Sequence, residues 1–130
     1  MEYHRKVSDS LEYIEKNLDA VIRLEDLARN AHLSKYHYHR LFHKMTGESV
    51  TKYITRLRMK NAGEDLIRTD QSIIDIALKY QYSSQEAFSR AFARIYGVTP
   101  GKYRKVYGSV RSNHIIKSGP YISGITSKAA

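Results

Sequence analysis

Apolar positions recur every three or four residues along most of the chain, as in Leu11, Ile14 and Leu18 or Val50, Tyr53, Ile54 and Leu57. That spacing matches the α-helical turn, and no convincing alternating strand pattern occurs before residue 114. The pattern predicts an all-α fold of seven helices at about 4–17, 24–31, 35–45, 50–68, 73–80, 85–96 and 100–106. Local chemistry sets the limits. Ser34 and Ser49 can cap the third and fourth helices, and Ser72 with Asp75 three residues on makes a capping box for the fifth. Gly47 and Gly97 close the third and sixth, where a left-handed residue costs least. Thr99-Pro100 is an N-cap followed by proline at the first helical position.

Residues 107–130 differ. They are Ser/Gly-rich, contain no acid, and offer only a short hairpin around Ser118-Gly119-Pro120. The expectation is a basic tail or the opening of a further domain.

Sliding the chain against itself exposes a repeat. Ala28 meets Ala77 at an offset of 49. At an offset of 50, Tyr38 meets Phe88, Arg40 meets Arg90, Phe42 meets Phe92, Gly47 meets Gly97 and Tyr53 meets Tyr103. Each copy is a short helix, a tight turn (Ala31-His32-Leu33-Ser34; Tyr80-Gln81-Tyr82-Ser83) and a longer helix closed by glycine. Such a unit is a helix-turn-helix, whose second helix enters a major groove. The chain is expected to hold two, at about 24–46 and 73–96, joined by a linker helix at about 50–68.

Projection at helical phase divides the second helix of each copy. Tyr38, Leu41, Phe42 and Met45 fall on one face, opposite Tyr36, His39, Arg40, His43 and Lys44. In the second copy Phe88, Ala91, Phe92 and Ile95 oppose Glu86, Ser89, Arg90, Ala93 and Arg94, with Gln85 at the edge. The outward sets are the same positions displaced by 50.

Charge sharpens the picture. The net charge is +9, from 22 Lys+Arg against 13 Asp+Glu, which favours a polyanionic partner. Residues 1–33 carry seven acids and five bases, whereas the chain beyond Glu86 has eight bases and no acid. The absence of cysteine removes disulfides, thiolate nucleophiles and Cys-based zinc fingers. No stretch approaches a membrane span, and the N-terminal residues have no apolar signal core, so a soluble cytoplasmic protein without membrane contact is expected.

The stretches LEDLARNAHLSKYHYHRLFHKMTGESVTKYITRLRMKNA and SIIDIALKYQYSSQEAFSRAFARIYGVTPGKYR resemble the DNA-binding domain of the AraC/XylS family of bacterial transcription regulators. The resemblance covers about residues 1–106. It implies seven helices in two helix-turn-helix subdomains, binding to double-stranded DNA as a monomer, and activation by contact with RNA polymerase, with repression equally compatible. Base-reading positions then fall on Tyr36, His39 and Arg40 in the first reader and on Gln85, Glu86, Ser89 and Arg90 in the second. One departure is Gln81, where the family usually has glycine, so that turn is expected to be strained or slightly rearranged.

Each residue has a plainer reading beside the functional one. Arg40 and Arg90 suit bidentate bonding to guanine, or a phosphate contact. Gln85 suits adenine, and Glu86 can accept from cytosine N4, although Ser83-Ser84-Gln85-Glu86 also reads as a capping box. Tyr36 can pack on a sugar or a thymine methyl, or stand as a surface tyrosine. Ser34, Lys35, His43, Lys44, Lys52, Arg94, Lys102, Arg104 and Lys105 are assigned to phosphate. His39 and His43 have the i, i+4 spacing of a metal pair, but Arg40 and Lys44 on the same face oppose a cation, so no metal or other cofactor is expected. No catalytic residues are expected, because nothing resembles a nucleophile or a phosphate-cradling glycine loop. The alternative is a basic helical module binding RNA or a protein. Paired helix-turn-helix units favour DNA, in major-groove segments about 34 Å apart and with the duplex bent to accept both helices.

Overall fold

The structure, a computed structural model, describes residues 2–108. Seven α-helices occur in chain order: α1 Glu2–Lys16, α2 Leu24–Asn30, α3 Lys35–Thr46, α4 Val50–Arg68, α5 Ile73–Lys79, α6 Gln85–Tyr96 and α7 Pro100–Tyr103. A π-helical turn, Arg104–Gly108, continues from α7. Among the described residues there is no strand. The hairpin expected around Ser118 lies outside them.

The caps form as local chemistry dictates. Ser34 Oγ accepts from the His37 N–H, Ser49 from Lys52 and Ser72 from Asp75, each at 3.1 Å. Thr99 Oγ1 accepts from Lys102 at 3.2 Å. One such cap is worth about 1 kcal/mol.

The end of α7 departs from the expected helix over 100–106. Tyr103 is wedged against Phe92, Tyr96 and Tyr107, with ring centroids 5.4, 4.8 and 5.1 Å away. Its neighbour Arg104 donates from Nε to the Leu66 carbonyl at 2.9 Å and from Nη2 to the Thr69 carbonyl at 3.2 Å. Two consecutive side chains are thus tied to different partners, and the helix widens where they are held. The helical path takes in Tyr107 and Gly108, the first two residues of the stretch expected to be tail.

The chain divides into two compact units between Leu57 and Arg58, inside α4. In the first, Val7, Ile14, Leu27, Ala28, Tyr38, Phe42, Val50 and Ile54 are buried. Fully burying one large apolar side chain contributes about 1.5–3 kcal/mol, so these residues outweigh any single surface contact. Phe42 meets Tyr53 edge-on at 5.3 Å. Arg56 lies 5.3 Å over the Tyr53 ring and donates from Nε and Nη2 to Glu48 Oε2 at 3.1 and 2.7 Å. The end of α3 is thereby seated on the start of α4.

In the second unit, Met59, Ala62, Leu66, Ile67, Ile76, Ala77, Phe88 and Phe92 form the core. Asp65 accepts from Lys79 Nζ at 3.0 Å and from the Tyr80 hydroxyl at 2.8 Å, which ties α5 to α4. Tyr96 stacks on Phe92, with centroids 4.0 Å apart and planes within 4°. Its hydroxyl donates to the Met59 carbonyl at 2.8 Å. The ring occupies the space beside Gly63, where a β-carbon would meet the Tyr96 hydroxyl and lie 2.9 Å from Cζ.

The internal repeat is present in the backbone itself. His32 and Gln81 are the two non-glycine residues with positive φ among the described residues, at +60° and +72°. Their next residues make matching bonds: Leu33 N–H to Ala28 O and Tyr82 N–H to Ala77 O, both 3.0 Å. Gly47 and Gly97 have φ of +80° and +82° and donate to the His43 and Ala93 carbonyls, both at 2.8 Å. The left-handed conformation puts strain on the Gln81 turn, since a β-carbon there costs about 1–2 kcal/mol.

Candidate nucleic-acid interface

The burial of Tyr38 and Phe42 fixes the phase of α3 and turns Tyr36, His39, Arg40, His43 and Lys44 to solvent. Tyr36 is 72% exposed, far too open for a packing role. The Arg40 guanidinium carbon lies 5.6 Å from the centre of its ring. A cation over an aromatic face is held by the ring quadrupole, which limits the rotamers Arg40 must lose on binding. This pairing was not expected, although its signal, an aromatic residue and an arginine one helical turn apart, was in the sequence. Lys35 sits 3.8 Å from Glu25, an exposed pair worth little in water. Ser34 uses a lone pair for the cap, which leaves its hydroxyl proton able to donate. Lys52 is exposed in the first turn of α4.

On α6, Phe88, Ala91, Phe92 and Tyr96 are buried, and Gln85, Glu86, Arg90 and Arg94 are exposed. Ser89 and Ala93 are half-buried on the same outward side. The capping reading of Glu86 is corrected here. Ser84, not Ser83, is the N-cap: its Oγ accepts from the Ala87 N–H at 3.0 Å. Ala87 therefore takes the third helical position, and Glu86 stands one residue too early to close a box. Among the described residues Glu86 has no hydrogen-bond or ion-pair partner.

Lys102 and Lys105 are exposed beyond α6. Arg104 is placed differently from expectation. It is half-buried and caps the carbonyl end of α4 through Leu66 and Thr69. Those bonds commit the guanidinium to the fold, and it is set aside as a phosphate contact.

Tyr38, Tyr53 and Arg58 have pKa values displaced from their ordinary ones. Burial pushes the Tyr38 phenol up, with Ser10 partly opposing. Even so, the Tyr38 hydroxyl has no partner of hydrogen-bonding geometry among the described residues. Burial and the neighbouring Glu15 carboxylate raise Tyr53, against Arg56. Burial lowers Arg58, with Tyr82 opposing. Both phenols stay neutral at ordinary pH and supply no charge to the surface.

Among the described residues, no three His, Cys, Asp or Glu side chains come together to hold a metal ion. No helix among them is long and apolar enough to cross a membrane.

Two helix-turn-helix units, each with a basic, solvent-facing second helix, define a DNA-binding protein. The sequence matches the family described as "Helix-turn-helix domain" over residues 27–106. The chain belongs to the AraC-type helix-turn-helix family of transcription regulators. It is 45% identical over 104 residues to the uncharacterized HTH-type transcriptional regulator YbfP of Bacillus subtilis, covering 80% of this chain and 35% of that protein. It is 39% identical over 98 residues to the HTH-type transcriptional activator AarP of Providencia stuartii, covering 75% and 73%. The C-terminal domain of AraT, a response regulator from Geobacillus stearothermophilus, superposes with a TM-score of 0.73 at 31% identity, covering 78% of this chain and 84% of that one. The chain thus spans about a third of YbfP and about three quarters of AarP.

Proposed function

We propose that α3 and α6 read a double-stranded operator through their major-groove base edges and that the bound protein activates transcription. Tyr36, His39 and Arg40 form the first reading set, and Gln85, Glu86, Ser89 and Arg90 the second. Ser34, Lys35, His43, Lys44, Lys52, Arg94, Lys102 and Lys105 hold phosphates. The carrying observation is the duplication of one exposed surface on two helices whose opposite faces are buried. Arg40 and Arg90 occupy equivalent points of it, 50 residues apart.

The readers differ in what they select. Arg40 braced on Tyr36 suits guanine O6 and N7. Glu86, released from capping, is an acceptor in a field of phosphates. It favours the N4 amino group of cytosine and penalises bases that offer only acceptors. Activation is supported by the likeness to AarP and proceeds through contact with RNA polymerase by a monomer on DNA. The reading needs no enzymatic step, and it is that of a soluble, cytoplasmic protein. In domain terms, residues 1–106 form the DNA-binding domain, and its helical path continues through Gly108.

Selection of bound duplexes from a random pool tests this. The wild type is expected to yield one operator with two conserved segments. Arg40→Ala should relax preference in one segment and Arg90→Ala in the other, each losing about 1–3 kcal/mol of discrimination. Uniform weakening on all sequences would leave both arginines as phosphate contacts only.

A further inference from the structure

The chain has six histidines, five of them among residues 1–57, and the sixth, His114, lies outside the described residues. None falls on α6, whose outward face is Gln85, Glu86, Ser89, Arg90 and Arg94. The two readers are equivalent in backbone and unlike in histidine content.

His39 and His43 stand one turn apart on the exposed face of α3. They share it with Tyr36, Arg40 and Lys44. The elements packed against α3 bring further charged and titratable groups. From α1 come Tyr3, His4, Lys6 and Asp9, with His37 of α3 edge-on to Tyr3 at 5.3 Å. From α2 come Glu25, Asp26 and Arg29, and from the start of α4 and the loop before it Glu48, Lys52, Tyr53 and Arg56. The carboxylates of these latter elements have cations of their own: Glu25 has Lys35, Asp26 has Arg29 and Glu48 has Arg56. No hydrogen bond or ion pair reaches the imidazole of His39 or His43 among the described residues. In the free protein the charged groups that share their face of α3 are the two cations Arg40 and Lys44.

Duplex DNA reverses that balance. Phosphates near an imidazole stabilise imidazolium, and a protonated ring donates from both nitrogens, to a phosphate oxygen or to guanine. We propose that the first reader is proton-linked: His39 and His43 bind DNA as imidazolium, so the complex takes up protons through α3 alone. This rests on the DNA-reading role proposed above. The sign follows from linkage. DNA raises the histidine pKa above its free value, so the added affinity is fully present below the free pKa and is lost as pH rises through the bound one. Histidine is the side chain whose ordinary titration falls between pH 5 and 8, so acidification within that window tightens binding. Each histidine contributes up to one proton, which is a limit of about tenfold in affinity per pH unit.

The test is the affinity of the full chain for its selected duplex from pH 6 to 8 at fixed ionic strength. The wild type is expected to tighten by about tenfold toward pH 6. The His39→Gln, His43→Gln double variant should vary by less than about twofold. Glutamine is a good helix former at exposed positions, and circular dichroism at both pH values verifies the fold. A wild type that selects a duplex but binds it equally at pH 6 and 8 overturns the proposal and leaves the DNA-reading role standing. So does a double variant with the full pH dependence, since the proton then belongs to His4, His32 or His37. A wild type with no duplex preference at any pH sinks the reading itself.

Discussion

A β-carbon on Gly63 would intrude on the Tyr96 ring, which is held by stacking on one side and by its hydroxyl bond to Met59 at its tip. Alanine is the better helix former by about 1 kcal/mol, but overpacking a fixed ring costs about 1–3 kcal/mol. Gly63→Ala is therefore expected to lower stability by about 1 kcal/mol, read from the denaturation midpoint. Adding Tyr96→Phe removes the atom that clashes first, so the double variant should lose less than the sum of the two single changes. Strict additivity would mean that the ring does not occupy the notch. None of this was legible in the sequence, where Gly63 was one small residue in a long helical run and its neighbour in space lies 33 positions away. Arg104 is a similar case. Its charge was visible, but its carbonyl partners on α4 depend on how the chain folds back. Tyr38, by contrast, was assigned to the core from helical phase alone, and its burial bears that out.

At the scale of helices, the starts of α3, α4, α5, α6 and α7 carry side-chain caps, and the ambiguous case is α6. Ser83 and Ser84 are adjacent and both are good caps, so sequence preference could not choose between them. The structure selects Ser84 through its bond to Ala87. Ser84→Ala is expected to cost about 1 kcal/mol in chemical denaturation, and Ser83→Ala should stay within about 0.5 kcal/mol. The reverse order would restore the box and return Glu86 to a structural role. Helix positions elsewhere were legible where period, serine caps and closing glycines agreed, as at Ser34 and Gly47 around α3, whereas α2 starts after Arg23 with no side-chain cap. The widening at Arg104 was not, since it answers to partners on another helix.

Over the whole molecule the decisive quantity is charge, +9 in 130 residues. Lys35, Lys44, Lys52, Arg94, Lys102 and Lys105 are exposed or carry at most a weak surface pair. If these six neutralise phosphates, log affinity should fall against log salt with a slope on the order of −5. A titration between 50 and 300 mM salt checks this, and a slope shallower than about −2 would mean that most of them are bystanders. The duplicated architecture was the most legible feature of all, because alanine, aromatic, arginine and glycine return together at one offset. What the repeat could not reveal is what orients each reader. For α6 that is the joint between Tyr96 and Gly63, buried and apart from the exposed residues that meet DNA in the proposed reading. A substitution in that notch bears on how α6 is held against α4 without touching any exposed side chain. In the proposed reading, such an interior change is a route to a different operator preference that leaves every exposed residue of α6 as it is.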